Sequence, residues 1–137
     1  MYMLVRNRTN VHNLNYHLVW ITKYRKMVFT TKDLRYAMKR IIQFIADSHH
    51  IVIQKMEILP DHIHILVSFP PAYAVSSVIK TFKGLSARIW FQHFPETKKK
   101  LWGGHLWSPT FYAGTVGDMS RKTIEKYINN QLINYKR

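Results

Sequence analysis

The segment IVIQKMEILPDHIHILVSF, Ile51–Phe69, decides the fold. Ile51–Leu59 and His62–Phe69 are rich in β-branched and apolar residues, and Pro60-Asp61 stands between them. Proline presets the backbone for one turn position and aspartate tolerates the next, so the segment reads as two strands joined by a tight turn. Successive side chains on a strand point to opposite faces. Ile63 and Ile65 therefore turn into a core, while His62 and His64 share the other face.

Upstream, Asn15–Thr22 (NYHLVWIT) is apolar on both faces, as a central strand should be, and Lys23-Tyr24-Arg25-Lys26 ends it with a burst of charge. Between this strand and the hairpin, Thr31–Ser48 reads as a helix. Its stripe is Leu34, Met38, Ile41 and Ile45, with Thr30 or Thr31 as N-cap. Downstream, Ala74–Phe94 is a second helix, with Val75, Val78, Phe82, Leu85 and Ile89 on one side and Lys80, Gly84 and Arg88 aligned on another. Gly84 costs that helix about 1 kcal/mol against alanine, so a close approach by DNA or a neighbouring helix is a reason for it. Trp107–Gly114 is a fourth strand, in which Pro109 favours an edge or the strand start. Ser120–Tyr135 is a last helix, capped by Asp118 or Ser120, with Ile124, Ile128, Leu132 and Tyr135 as its stripe.

The order βαββαβα is that of an α+β, ferredoxin-like or RRM-like sandwich, an antiparallel sheet with helices on one face. Residues 1–137 make one domain, opened by a basic arm over residues 1–11.

Composition narrows the function. Lys and Arg number 21 against 7 Asp and Glu, a formal charge of +14, which calls for a polyanionic partner. Aromatic residues are 14 %, a content that suits base stacking. Cysteine is absent, which excludes disulfides and thiolate metal sites. No apolar run approaches the roughly 18 residues of a membrane span, and no signal peptide opens the chain, so a cytoplasmic protein is expected.

Two small groups carry potential chemistry. His62 and His64 place two imidazoles side by side, which is either a polar sheet face or part of a divalent-metal site. Tyr127 and Gln131 lie four residues apart and share a helix face beside the apolar stripe. That tyrosine either packs its ring at an interface or offers a phenol to phosphorus; the glutamine offers a carbonyl oxygen to a metal. Taken together, two imidazoles and a carboxamide leave a cation with open positions for a phosphate oxygen. Attack by a phenol then conserves the phosphodiester energy for rejoining. No P-loop, Ser-His-Asp set or paired-carboxylate motif competes.

From about Leu14 to Leu132 the chain resembles the single-tyrosine HUH transposases of the IS200/IS605 insertion-sequence group. The resemblance rests on Tyr16-His17-Leu18-Val19-Trp20 with Lys23-Tyr24-Arg25, on Met56–Leu66 (MEILPDHIHIL), and on Lys83–Arg88 (KGLSAR). Leu101–Trp107 (LWGGHLW) and Glu125–Gln131 (EKYINNQ) complete it. It implies cleavage and rejoining of single-stranded DNA at insertion-sequence ends, with Tyr127 forming a 5′-phosphotyrosine. It implies His62, His64 and Gln131 as ligands to Mg²⁺ or Mn²⁺. It also implies a homodimer, in which one subunit's tyrosine helix can complete the other's site, and recognition of subterminal DNA hairpins.

The expected DNA contacts are Lys23, Arg25, Lys80, Lys83 and Arg88, with Lys26, Lys98–Lys100, Arg121 and Lys122 as further candidates. Trp102 and Trp107 either stack on unpaired bases or anchor the core. A metal-dependent nuclease using water and a non-enzymatic hairpin-binding module are the competing functions.

Overall fold

The structure is a computed structural model that describes residues 14–115 and 125–130. Its elements are β1 (Leu14–Ile21), α1 (Lys32–Ser48), β2 (Val52–Leu59), β3 (His62–Phe69), α2 (Val75–His93) and β4 (Tyr112–Thr115), with short 3-10 turns at Lys23–Arg25, Pro95–Lys100 and Trp102–Gly104. Residues 125–130 are helical and are called α3. The four strands form one antiparallel sheet in the order β2-β3-β1-β4. This is the ferredoxin-like arrangement that the element order predicts.

The hairpin forms as read. Pro60 and Asp61 are its two turn residues, and β2 pairs with β3 from Leu59↔His62 outward. The β1 strand is central, paired to β3 on one side and β4 on the other. Its two faces serve two clusters. Leu18 and Trp20 join Ile63, Ile65 and Val67 beneath α1 and α2, where Met38, Ile42, Ile45, Phe82 and Trp90 are buried. Val19 and Ile21 face the other way and are buried with Ile128 of α3. The expected helices on one face are α1 and α2; α3 packs on the opposite face, so the apolar run on both faces of β1 reflects cover on both sides.

Thr31 is the N-cap of α1, its hydroxyl accepting a hydrogen bond from the Leu34 amide at 3.1 Å. The buried side of α2 is rotated from the predicted stripe: Val78, Ile79, Phe82, Ser86 and Trp90 are covered, and Leu85 and Ile89 are half-buried. Trp90 draws the helix round, packing edge-on to Phe29 with centroids 5.0 Å apart. Gly84 is exposed and a side chain there would meet nothing within 4 Å, so no neighbouring helix among the described residues explains it.

The fourth strand is shorter than predicted. Trp107 makes only an isolated bridge to Thr22, and the ladder with β1 begins at Tyr112. Pro109 lacks the amide a ladder needs, and the Ser108 hydroxyl bonds both the amide and the hydroxyl of Thr110, closing a local turn. The basic arm, Gln131, Arg121, Lys122 and the rest of the predicted last helix lie outside the described residues.

Candidate functional site

The face of the sheet turned towards α3 carries the histidines. His62 pairs with Ile21 of β1 and His64 with Val19. These two partners are the residues that Ile128 covers. Directly opposed residues in an antiparallel pair share a face with Cβ atoms about 4.5–5.5 Å apart. The tyrosine helix is therefore docked on the positions adjacent to both imidazoles.

His62 is held from behind. Its Nδ1–H donates to Asp61 Oδ1 at 2.8 Å, and Arg25 Nε donates to Asp61 Oδ2 at 2.7 Å. Asp61 is buried, which acts to raise its carboxyl pKa, but the hydrogen bonds and charges of His62 and Arg25 outweigh burial and hold it below the ordinary aspartate range. Arg25 reaches it because Tyr24 and Arg25 both take left-handed backbone angles, φ 56° and 55°. With Nδ1 committed to a carboxylate, His62 keeps its Nε2 lone pair for a cation, the usual arrangement of a carboxylate behind a ligating imidazole.

His64 makes a different contact. Its Nε2 lies 3.0 Å from Nδ1 of His17 on β1, with ring centroids 5.2 Å apart. Its Nδ1 lies 3.6 Å from Glu57 Oε1 on β2. Burial, followed by the neighbouring His17, lowers its pKa; burial and Lys55 lower that of His17. Both shifts favour the neutral imidazoles that ligate metals. His17, Glu57 and His64 line a cavity of about 380 Å³.

Tyr127 is half-buried against Tyr112, ring centroids 6.1 Å apart. Its hydroxyl lies 3.0 Å from Thr110 Oγ1. The loop that presents Thr110 is clamped by Lys83, whose Nζ donates to the carbonyls of Ser108 at 2.5 Å and Thr110 at 3.1 Å. Burial pulls the Lys83 pKa down to about 8.

His62 and His64 offer two imidazole nitrogens, to which a divalent ion could add oxygen ligands. Among the described residues no three His, Cys, Asp or Glu side chains already form a metal-binding group. Any carboxamide contribution from Gln131 lies outside those residues.

The expected DNA contacts divide. Lys80 and Arg88 are exposed on α2. Lys23, Lys83, Arg88, Lys98 and Trp107 line an open cleft of about 520 Å³. Arg25 and Lys83 are instead tied to Asp61 and to loop carbonyls. Trp107 is a core anchor, buried edge-on to Trp20 and donating its indole N–H to Ser86 Oγ at 2.9 Å. Three residues of the face escaped the sequence reading: Asp61 beyond its turn role, Thr110 and His17. Asp61 and His17 sit inside recognisable motifs, but only the register and the folded turn bring them to the other groups.

The molecule is an α+β sandwich that carries His17, His62 and His64 on the sheet face against which Ile128 of α3 packs. Residues 10–131 match the family Transposase IS200 like. The chain is 40 % identical over 126 residues to the ISDra2 transposase TnpA of Deinococcus radiodurans, spanning 92 % of this chain and 89 % of that one. It is 33 % identical over 120 residues to the transposase for insertion sequence element IS200 of Salmonella typhimurium, spanning 88 % and 78 %. A crystal structure of a candidate transposase from Deinococcus radiodurans R1 superposes with a TM-score of 0.86 at 36 % identity, over 93 % of this chain and 98 % of that one. A REP-associated tyrosine transposase bound to a REP hairpin shares the fold, with a TM-score of 0.54 at 16 % identity over 91 % and 68 %. The chain belongs to the IS200-like transposase family. Its activity is that of a transposase, a DNA strand transferase. No helix among the described residues is long and apolar enough to cross a membrane.

Proposed function

We propose that this transposase cuts and rejoins single-stranded insertion-sequence ends through Tyr127. The phenolic oxygen forms a bond to phosphorus as the bond from phosphorus to the 3′ oxygen breaks. The phenol proton passes to the released 3′-OH, and the 5′ side is left as a phosphotyrosine. Attack by a 3′-OH on that ester reverses the sequence and joins strands. His62, His64 and Gln131 would hold the divalent ion, Mg²⁺ or Mn²⁺. When bound, such an ion supplies Lewis-acid polarisation of the scissile phosphate.

The chain's own groups prepare this. Asp61 and Arg25 fix the ring of His62. Thr110 fixes the phenol oxygen at a hydroxyl contact, and Ile128 seats the helix. The DNA partner is single-stranded with hairpin ends, met by the exposed cations of α2 and the cleft. A homodimer acting in the cytoplasm on such ends is consistent with the family and with residues 1–137 acting as one domain.

One observation carries the proposal: Ile128, next to Tyr127, packs on Val19 and Ile21, the strand partners of His64 and His62. The test is incubation with Mn²⁺ and a single-stranded oligonucleotide bearing the insertion-sequence end. A covalent adduct on a denaturing gel that disappears in Tyr127→Phe is expected. Cleavage to a free 5′-phosphate without adduct would assign the attack to water. Salt-sensitive binding without cleavage in any metal would reduce the chain to a hairpin-binding module.

A further inference from the structure

Thr110 is gripped at two atoms by two helices. Its hydroxyl lies 3.0 Å from the Tyr127 hydroxyl of α3, and its main-chain carbonyl accepts from Lys83 Nζ of α2 at 3.1 Å. These helices cover opposite faces of the sheet, and the segment Ser108–Thr110 joins them. That segment lies between the isolated bridge at Trp107 and the ladder that starts at Tyr112, so no strand pairing sets its course. It is tied to the end of β1 through the Ser108 amide, which donates to the Ile21 carbonyl at 2.9 Å. Its tie to a core helix is the ammonium of Lys83, which spans the carbonyls of Ser108 and Thr110. Bonds from a charged donor are stronger than neutral ones, and two of them on carbonyls two residues apart fix the direction of the intervening backbone. The Thr110 hydroxyl goes where that backbone points. The ammonium is half-buried, and among the described residues no carboxylate pairs with it. Its hydrogen-bonding capacity is spent on this segment. Lys83 also lines the cationic cleft, so a DNA phosphate is its competing partner.

We infer that Lys83 is a positioning residue for the nucleophile: by fixing Ser108–Thr110 it places the Thr110 hydroxyl, and through that hydroxyl it orients the Tyr127 phenol. The inference rests on Tyr127 being the attacking group and deepens that reading by adding the residue that aims it. The sequence assigns Lys83 to DNA phosphates with the other cations of α2; the folded geometry assigns it to the phenol. Displacing a reacting group by about 1 Å costs about 100-fold in rate. A smaller loss is expected here, because Tyr112 and Ile128 still hold the ring and the helix.

The test uses the full chain, Mn²⁺ and a single-stranded oligonucleotide bearing the insertion-sequence end. Two quantities are measured: the dissociation constant without metal, and the rate of covalent adduct formation at saturating oligonucleotide. The proteins are the parent, Lys83→Met, Thr110→Val, the double variant and Tyr127→Phe, with folding at the assay temperature checked by circular dichroism. Lys83→Met is expected to slow adduct formation about tenfold and to leave the dissociation constant within about twofold of the parent. On the Thr110→Val background the same change is expected to slow it by less than about twofold, because the lysine acts through the hydroxyl that is already gone. An adduct rate in Lys83→Met equal to that of the parent overturns the inference and leaves Tyr127 as nucleophile. Weaker binding with an unchanged saturated rate overturns it in favour of a direct phosphate contact. Effects that multiply in the double variant overturn it in favour of a structural role independent of Thr110. If Tyr127→Phe forms as much adduct as the parent, the reading of Tyr127 as nucleophile falls and the inference with it. Should Lys83→Met fail to fold, Lys83→Gln takes its place, since its amide stops one bond short of the carbonyls, and its rates are judged in the same way.

Discussion

The hydroxyl of Tyr127 lies 3.0 Å from Thr110 Oγ1, on a loop whose carbonyls are bound by the ammonium of Lys83. The phenol is thus tethered at its hydroxyl as well as packed by its ring. A hydrogen bond of this kind contributes about 0.5–1.5 kcal/mol net. Thr110→Val removes the hydroxyl and keeps the shape. Amide exchange of residues 125–130 is expected to rise about 2- to 10-fold, with the exchange of β1 and β3 unchanged. Equal exchange in both proteins would show that the ring contacts alone hold the helix.

Lys83 and Arg88 belong to the same helix and should behave differently. Lys83 donates to two backbone carbonyls, while Arg88 is exposed. Lys83→Met is expected to lower the melting temperature and leave the salt slope of oligonucleotide binding unchanged. Arg88→Ala is expected to leave the melting temperature unchanged and reduce that slope by about one. The pH dependence has a definite sign. Burial lowers Lys83 from 10.5 to about 8. Between those values the unfolded chain holds a proton that the folded chain has released, so this residue makes stability rise with pH there. Unfolding at several pH values should show that rise in the parent and a flatter curve in Lys83→Met.

The sheet and its histidine face were legible because they rest on period-two alternation and a Pro-Asp turn, both local. His62 and His64 share a face for no other reason than that they are two residues apart on a strand. The rotated face of α2 was less legible, because Trp90 and Ser86 are chosen by what lies across from them. The start of β4 was misplaced because apolar content at Trp107 pointed to a strand, whereas the missing amide of Pro109 and the Ser108–Thr110 hydroxyl contacts close a turn. The roles of Arg25 and Lys83 were hidden for the same reason. A cation's partner in three dimensions is a property of tertiary packing, and a sequence shows only that a cation is present.

Asp61 links Arg25 to His62, so its removal should be felt on both sides. Asp61→Asn keeps the shape and loses the charge. Hydrogen bonds to charged groups contribute about 1.5–3 kcal/mol each, and partners left behind a half-buried cation cost more. A drop of about 1–3 kcal/mol in unfolding free energy at pH 7 is expected, with Mn²⁺ affinity about 10- to 100-fold weaker because the His62 ring loses its orienting carboxylate. The stability from Asp61 follows from its lowered pKa. It is fully present above the ordinary value of 3.8 and is lost as pH falls through the lower folded value. Acid titration of the parent should therefore lose stability below pH 3.8 in a step that Asp61→Asn lacks.

Ile128 is the remaining test of how the phenol comes to the histidines. It is 6 % exposed and closes a cluster with Val19 and Ile21 that is separate from the main core beneath α1 and α2. Truncating a buried isoleucine to alanine costs about 2 kcal/mol at the lower end of the usual range, and that is about 30-fold in occupancy of the docked helix. Because the cluster is separate, the cost should fall on docking and not on global folding. Ile128→Ala is therefore expected to slow formation of the Tyr127–DNA adduct by tenfold or more, while the melting temperature moves by no more than about 2 °C. A variant that forms adduct at the parent rate would mean that the contact of Ile128 with Val19 and Ile21 is not what delivers the phenol. The helix would then reach the phosphate from another seat.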